Sequence, residues 1–140
     1  MADPATPARY LLDTHVLAWW LGDVRQLRPA VREVIADPAN VILVSTVSVW
    51  EMAQKHGRGR WPEIEAFLAD AEAILREERM QVLPLTLAHA LAAGALDWAH
   101  RDPFDRMLAA QAVAERAALV TADRVFAAVP PAAGLALLAA

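Results

Sequence analysis

Four short apolar runs recur along the chain, and each ends in polar or turn-forming residues: RYLLDT (9–14), VILVST (41–46), MQVLPL (80–85) and ALVTAD (118–123). Runs of this length and setting read as buried strands. VILVST is the clearest, being apolar and β-branched. Helical stretches lie between them. HVLAWWL (15–21) follows the first run, and LRPAVREVIAD (27–37) is amphipathic, with Leu27, Val31, Val34 and Ile35 on one face. VSVWEMAQKH (47–56) stops near Gly57, IEAFLADAEAILREE (64–78) is longer, TLAHALAAGA (86–95) ends near Gly94, and a further helix covers about 103–117. RVFAAV reads as a helical turn and GLALL (134–138) as a last edge strand. This alternation builds a parallel sheet with helices on both faces. With 140 residues and no internal repeat or linker, the expectation is one α/β domain over residues 1–140, with 1–8 a floppy arm.

In such a fold, ligands bind outside the carboxyl ends of the strands. Asp13 ends the first run and Asp123 the fourth, while Glu51 lies in the first turn or two after the second. The helix over 103–117 precedes a strand, so its N-terminus, with Asp102 and Asp105, falls on the same edge. Each acid also has a local explanation. Asp102 is a good N-cap, with Pro103 at the first helical position and Asp105 at the third. Asp13 and Asp123 suit caps equally well, and Glu51 suits a solvated helix face. Together, however, several carboxylates at one edge repel one another unless a cation sits among them. The chain has no cysteine, so disulfides and thiolate metal sites are excluded. Oxygen ligands favour Mg²⁺ or Mn²⁺, an ion that can orient a phosphate, activate a water and offset developing charge.

A net charge of −4 excludes a general polyanion binder, so a nucleic-acid role needs a local basic patch. Lys55, His56, Arg58 and Arg60 supply one around two glycines. The cluster reads either as a solvated helix end, where cations are favoured, or as a phosphate contact beside the acids. Other acidic-pocket folds match less well. A response-regulator receiver domain needs a lysine after a late strand and adjacent N-terminal acids, but the only lysine is Lys55. A dehalogenase-type phosphatase needs Asp-x-Asp after the first strand, where this chain has Asp-Thr-His. His15 and His56 read as packing residues rather than ligands, and most of the five tryptophans as core or interface. The N-terminus lacks a signal-peptide pattern, and the apolar tail is broken by Pro130, Pro131 and Gly134, so a cytoplasmic location without a membrane span is expected.

LLDTH (11–15), STVSVWE (45–51) with KHGRG (55–59), HRDPFDRMLAAQA (100–112) and LVTAD (119–123) together resemble the PIN domain, and more narrowly the VapC-type toxins of bacterial toxin–antitoxin pairs. The resemblance spans about residues 10 to 128, and D-P-F-D-R before A-x-Q-A, together with S-x-W-E upstream, is quite specific. It implies a three-layer α/β/α fold with strand order 3-2-1-4-5 and a Mg²⁺- or Mn²⁺-dependent endoribonuclease. The family's acids map onto Asp13, Glu51, Asp105 and Asp123 as catalytic and metal-binding residues. Thr14, Ser45 and Thr121 match supporting polar positions, and Asp102 mainly caps. Ala122 stands where an asparagine is often seen. Lys55, Arg58 and Arg60 become candidate RNA contacts. The resemblance further implies an antitoxin partner and a homodimer; the partner is expected in an apolar groove beside the active site, formed partly by the helices over 15–21 and 47–56. The alternative is an inactive PIN scaffold used only to bind protein or RNA.

Overall fold

A computed structural model describes residues 6–59 and 64–140, so Arg60 and Trp61 lie outside the described residues. Five parallel strands form one sheet in the order β3-β2-β1-β4-β5: β1 (Arg9–Leu12), β2 (Val41–Ser45), β3 (Met80–Leu83), β4 (Ala118–Thr121) and β5 (Ala136–Ala139). This is the expected three-layer α/β/α arrangement with strand order 3-2-1-4-5. The central β1 pairs Leu11 with Leu43 on one side and Leu119 on the other. These three leucines lie in one buried cluster with Trp98, Leu108, Ala112 and Phe126. Leu12, Val44 and Val120 enter the opposite cluster with Val16, Val31, Met52 and Phe67. The strand period of two thus divides an all-apolar run between two cores, and helices cover both faces.

The helices are α1 (Thr14–Gly22), α2 (Pro29–Ala36), α3 (Thr46–Gly57), α4 (Glu65–Ala69), α5 (Ala71–Glu77), α6 (Leu87–Ala95) and α7 (Pro103–Ala114). The first five supply the cluster around Leu12, and α7 supplies the one around Leu11. The expected helix over 27–37 begins only at Pro29, because the residue before a proline is pushed out of helical geometry, and Arg28 has ψ 143°. The expected helix over 64–78 is two, broken at Asp70 with φ −147° and ψ 45°. The break lets Phe67 and Leu75 both reach the core. β3 stops at Leu83 because Pro84 has no N–H for the ladder. The helix over 103–117 ends at Ala114, and Arg116, at φ 52°, turns the chain into β4. Gly134, at φ 79°, turns it into β5 along the edge. Among the described residues no helix is long and apolar enough to cross a membrane.

Candidate metal centre

Asp13 follows β1 directly. Its N–H still pairs with Val120 of β4 at 2.9 Å, so the carboxylate emerges between the two central strands. Oδ1 accepts from the Thr14 N–H at 2.7 Å and so caps α1, while Oδ2 accepts from the Thr121 hydroxyl at 2.7 Å. The Thr121 oxygen in turn accepts from the Asp123 N–H at 3.0 Å. A carboxylate offers about four lone-pair sites, so two remain on this buried group. His15 stands beside it, Nδ1 3.6 Å from Oδ2. Its Nε2 accepts from the Ala122 N–H at 3.1 Å, which places the neutral ring's proton on Nδ1, facing the carboxylate. Burial raises the Asp13 pKa above the ordinary carboxylate range. His15, Thr121 and Thr14 oppose this, and Glu51 adds to it.

Glu51 sits in the second turn of α3, which Ser45 caps through Val47 N–H at 3.0 Å. Its Oε2 lies 3.4 Å from Lys55 Nζ, one turn on. α3 is keyed to its neighbours on either side of Glu51. Thr14 Oγ1 donates to Ser48 Oγ at 3.1 Å, and the Trp50 and Phe104 rings pack at 5.1 Å. Trp50 and Phe104 immediately precede Glu51 and Asp105, so that contact brings the α3 and α7 acids to the same edge.

Asp102 caps α7, accepting through Oδ1 from Phe104 N–H at 2.9 Å and Asp105 N–H at 3.1 Å. Asp105 is free of that duty. Its Oδ2 meets His100 Nε2 at 2.7 Å. Burial pushes the Asp105 carboxyl up to about 6; the hydrogen bond from His100 opposes the shift, and the charges of Asp102 and Asp13 reinforce it. With Asp105 ionised, its oxygen can only accept, so Nε2 is the donor of this contact. Ligand atoms of His100, Asp102 and Asp105 lie within 4.8 Å of one another.

Asp123 follows β4 and is exposed. Its Oδ1 caps the next turn through Val125 N–H at 3.0 Å, and it lines a cavity of about 220 Å³ with Arg28 and Arg124. Ser45 points elsewhere: its hydroxyl donates to Gln111 Oε1 at 2.6 Å, tying β2 to α7. Arg58 ends α3 and is exposed. Asp13, Glu51 and Asp105 thus interact electrostatically, while Ser45 braces the frame and Thr14 and Thr121 hold Asp13. Sequence reasoning passed over His100, Arg106 and Gln111. All three lie within HRDPFDRMLAAQA, and the available signal was the polar Gln111 in the apolar run MLAAQA and the His and Arg that flank D-P-F-D.

The donor set fits a hard divalent cation. Oxygen ligands predominate, and the charge of Glu51 raises the Asp13 pKa while the charges of Asp102 and Asp13 raise that of Asp105, a cost that a cation would relieve. An apolar groove of about 370 Å³ adjoins the site, lined by Thr46, Val47, Trp50, Leu85, Phe104 and Met107. α3 forms one wall as expected, but the other is α7 rather than α1. The α1 tryptophans are partly buried instead, Trp19 and Trp20 packing on the core and Trp20 Nε1 donating to Glu78 at 2.9 Å.

The family model of the PIN domain matches residues 10–131. Solved structures share the fold. VapBC2 from Rickettsia felis, bound to a DNA fragment from its promoter, has a TM-score of 0.69 at 20% identity, covering 94% of this chain and 98% of that one. VapBC-1 from nontypeable Haemophilus influenzae has a TM-score of 0.60 at 20% identity, covering 94% and 97%. FitAcB from Neisseria gonorrhoeae has 0.58 at 19% identity, covering 92% and 96%. No curated protein sequence matches the chain.

Proposed function

The chain belongs to the PIN-domain family, and from that premise we propose that it is a Mg²⁺- or Mn²⁺-dependent endoribonuclease, the toxin of a toxin–antitoxin pair, acting in the cytoplasm. The observation that carries this reading is the meeting of acids from three elements, Asp13 after β1, Glu51 on α3 and Asp105 on α7, at the carboxyl edge of the sheet. Asp13 and Asp105 would hold the ion. Glu51 and Asp123 would act through water, hold a second ion or orient the attacking water. When bound, the ion supplies an acidified water and a positive charge for the scissile phosphate.

The chain's own groups do the rest. Thr14 N–H and the Thr121 hydroxyl fix both oxygens of Asp13, so the ligand is oriented before substrate arrives. Lys55 stands beside Glu51, and Arg58 follows one turn later; both would meet the phosphate backbone. The groove between α3 and α7 accommodates an apolar helix of an antitoxin, whose arginine would reach the carboxylates and displace metal or substrate. The VapBC and FitAcB complexes motivate that partner, and a homodimer is the assembly we expect.

An inactive binding scaffold is the competing reading. Such a scaffold has no use for a buried Asp13 and a half-buried Asp105 whose pKa values are raised by burial and by neighbouring acids. Calorimetric titration of the metal-free protein with Mn²⁺ separates the two. The nuclease reading expects saturable binding that Asp105→Asn weakens. Absence of binding would leave only the scaffold.

A further inference from the structure

The acids account for D-P-F-D within HRDPFDR, but not for the flanking His100 and Arg106. The two form one device. Arg106 spends its whole guanidinium on main-chain carbonyls of the last turn of α6 and the loop that follows it. Nε donates to Ala93 at 3.1 Å, Nη1 to Trp98 at 2.6 Å and His100 at 3.0 Å, and Nη2 to Leu96 at 2.6 Å and Gly94 at 3.5 Å. The five donors of a rigid planar fork thereby fix the path of residues 93–100 relative to the first turn of α7. The imidazole of His100 is held as well as its backbone: it packs on Trp98 at 4.8 Å, and Trp98, itself buried, packs on Phe126 at 5.7 Å. From this clamped position Nε2 reaches Asp105 Oδ2 at 2.7 Å.

An aspartate's terminal torsion is broad and nearly two-fold, so a carboxylate on a helix surface turns freely unless something holds it. Here one oxygen is held and Oδ1 is left over. We propose that His100, fixed by Arg106 and Trp98, is a positioning residue that presents Asp105 to a divalent cation through a single oxygen. The inference rests on the metal-centre reading above. It differs from that reading because His100 touches the carboxylate and not the ion. Outer partners of this kind change metal affinity by about 10- to 100-fold when removed.

The test is Mn²⁺ affinity of the metal-free protein, by calorimetry at pH 7.5, with thermal unfolding in chelator as a control on folding. His100→Ala should weaken Mn²⁺ binding by at least about 10-fold, and His100→Gln, which returns a donor near Nε2, should recover much of it. Arg106→Lys should weaken binding in the wild-type background but add no further loss to His100→Ala, although it lowers thermal stability in both. Pulsed EPR of bound Mn²⁺ should show no directly coordinated nitrogen. Equal affinity in wild type and His100→Ala would overturn the positioning role and leave the metal centre standing. So would a coordinated nitrogen lost in His100→Ala, because His100 would then be a ligand itself. Failure of the wild-type protein to bind Mn²⁺ would overturn both.

Discussion

Asp102 and Asp105 stand three residues apart and do different work. Asp102 spends Oδ1 on two helix N–H groups, whereas Asp105 sits half-buried among other charges. The consequence is measurable. The Asp105 carboxyl titrates near 6 in the fold, against 3.8 for the ordinary group. Between those values the folded chain keeps a proton that the unfolded chain releases, so without metal this carboxyl lowers stability as pH rises from about 4 to about 6. Above that range the loss is complete. Asp105→Asn should therefore make the metal-free protein more stable at pH 7, by about 1 kcal/mol once solvent contact is allowed for. Its advantage should shrink toward pH 4.5. Urea unfolding in chelator at the two pH values checks this; an unchanged difference between variant and wild type would contradict it.

At the level of elements, α3 and α7 carry Glu51 and Asp105, and a buried polar brace sets their relation. Gln111 is wholly buried in α7, accepting from Ser45 Oγ at 2.6 Å and donating to Pro84 O at 3.3 Å. Gln111→Ala leaves those partners unsatisfied and should cost about 1–3 kcal/mol, read in the urea midpoint. A loss below about 0.5 kcal/mol would mean that water replaces the amide at little cost. The edge that gathers the acids was legible in the sequence, because parallel topology alone puts strand ends and the α7 N-terminus on one side; the strand order came only with the resemblance to the PIN domain. Residues 11, 12, 43, 44, 119 and 120 are all apolar, so neither face of the sheet lies open. What escaped was tertiary. Nothing in IEAFLADAEAILREE announces the break at Asp70, which depends on where Phe67 and Leu75 must reach. Trp50 stood among five tryptophans read mostly as core or interface, and its contact with Phe104 could not be seen in the sequence. His100 gains meaning only through the loop that Arg106 holds.

For the whole molecule, a net charge of −4 repels RNA, so binding leans on local cations at the end of α3. Each phosphate contact contributes about one unit to the slope of log K against log salt. Arg58→Ala should lower that slope by about one if Arg58 touches phosphate, measured by fluorescence anisotropy from 50 to 200 mM salt, a range of the order used for such slopes. An unchanged slope assigns it to the solvated surface. The groove between α3 and α7 is lined by Trp50 and Phe104, the sequence neighbours of Glu51 and Asp105. Trp50→Ala should weaken antitoxin capture in pull-down more than RNA cleavage, whereas equal loss of both would place Trp50 in the substrate site. The most direct test of the account is cleavage itself: purified wild type, Asp13→Asn, Asp105→Asn and Asp102→Asn on total RNA, with Mg²⁺ or Mn²⁺ and with chelator. The account predicts cleavage by wild type that chelator abolishes and Mn²⁺ restores, loss by orders of magnitude in Asp13→Asn and Asp105→Asn without unfolding, and a milder loss in Asp102→Asn, where asparagine still caps. Full activity in Asp13→Asn or Asp105→Asn, or cleavage indifferent to chelator, would contradict it.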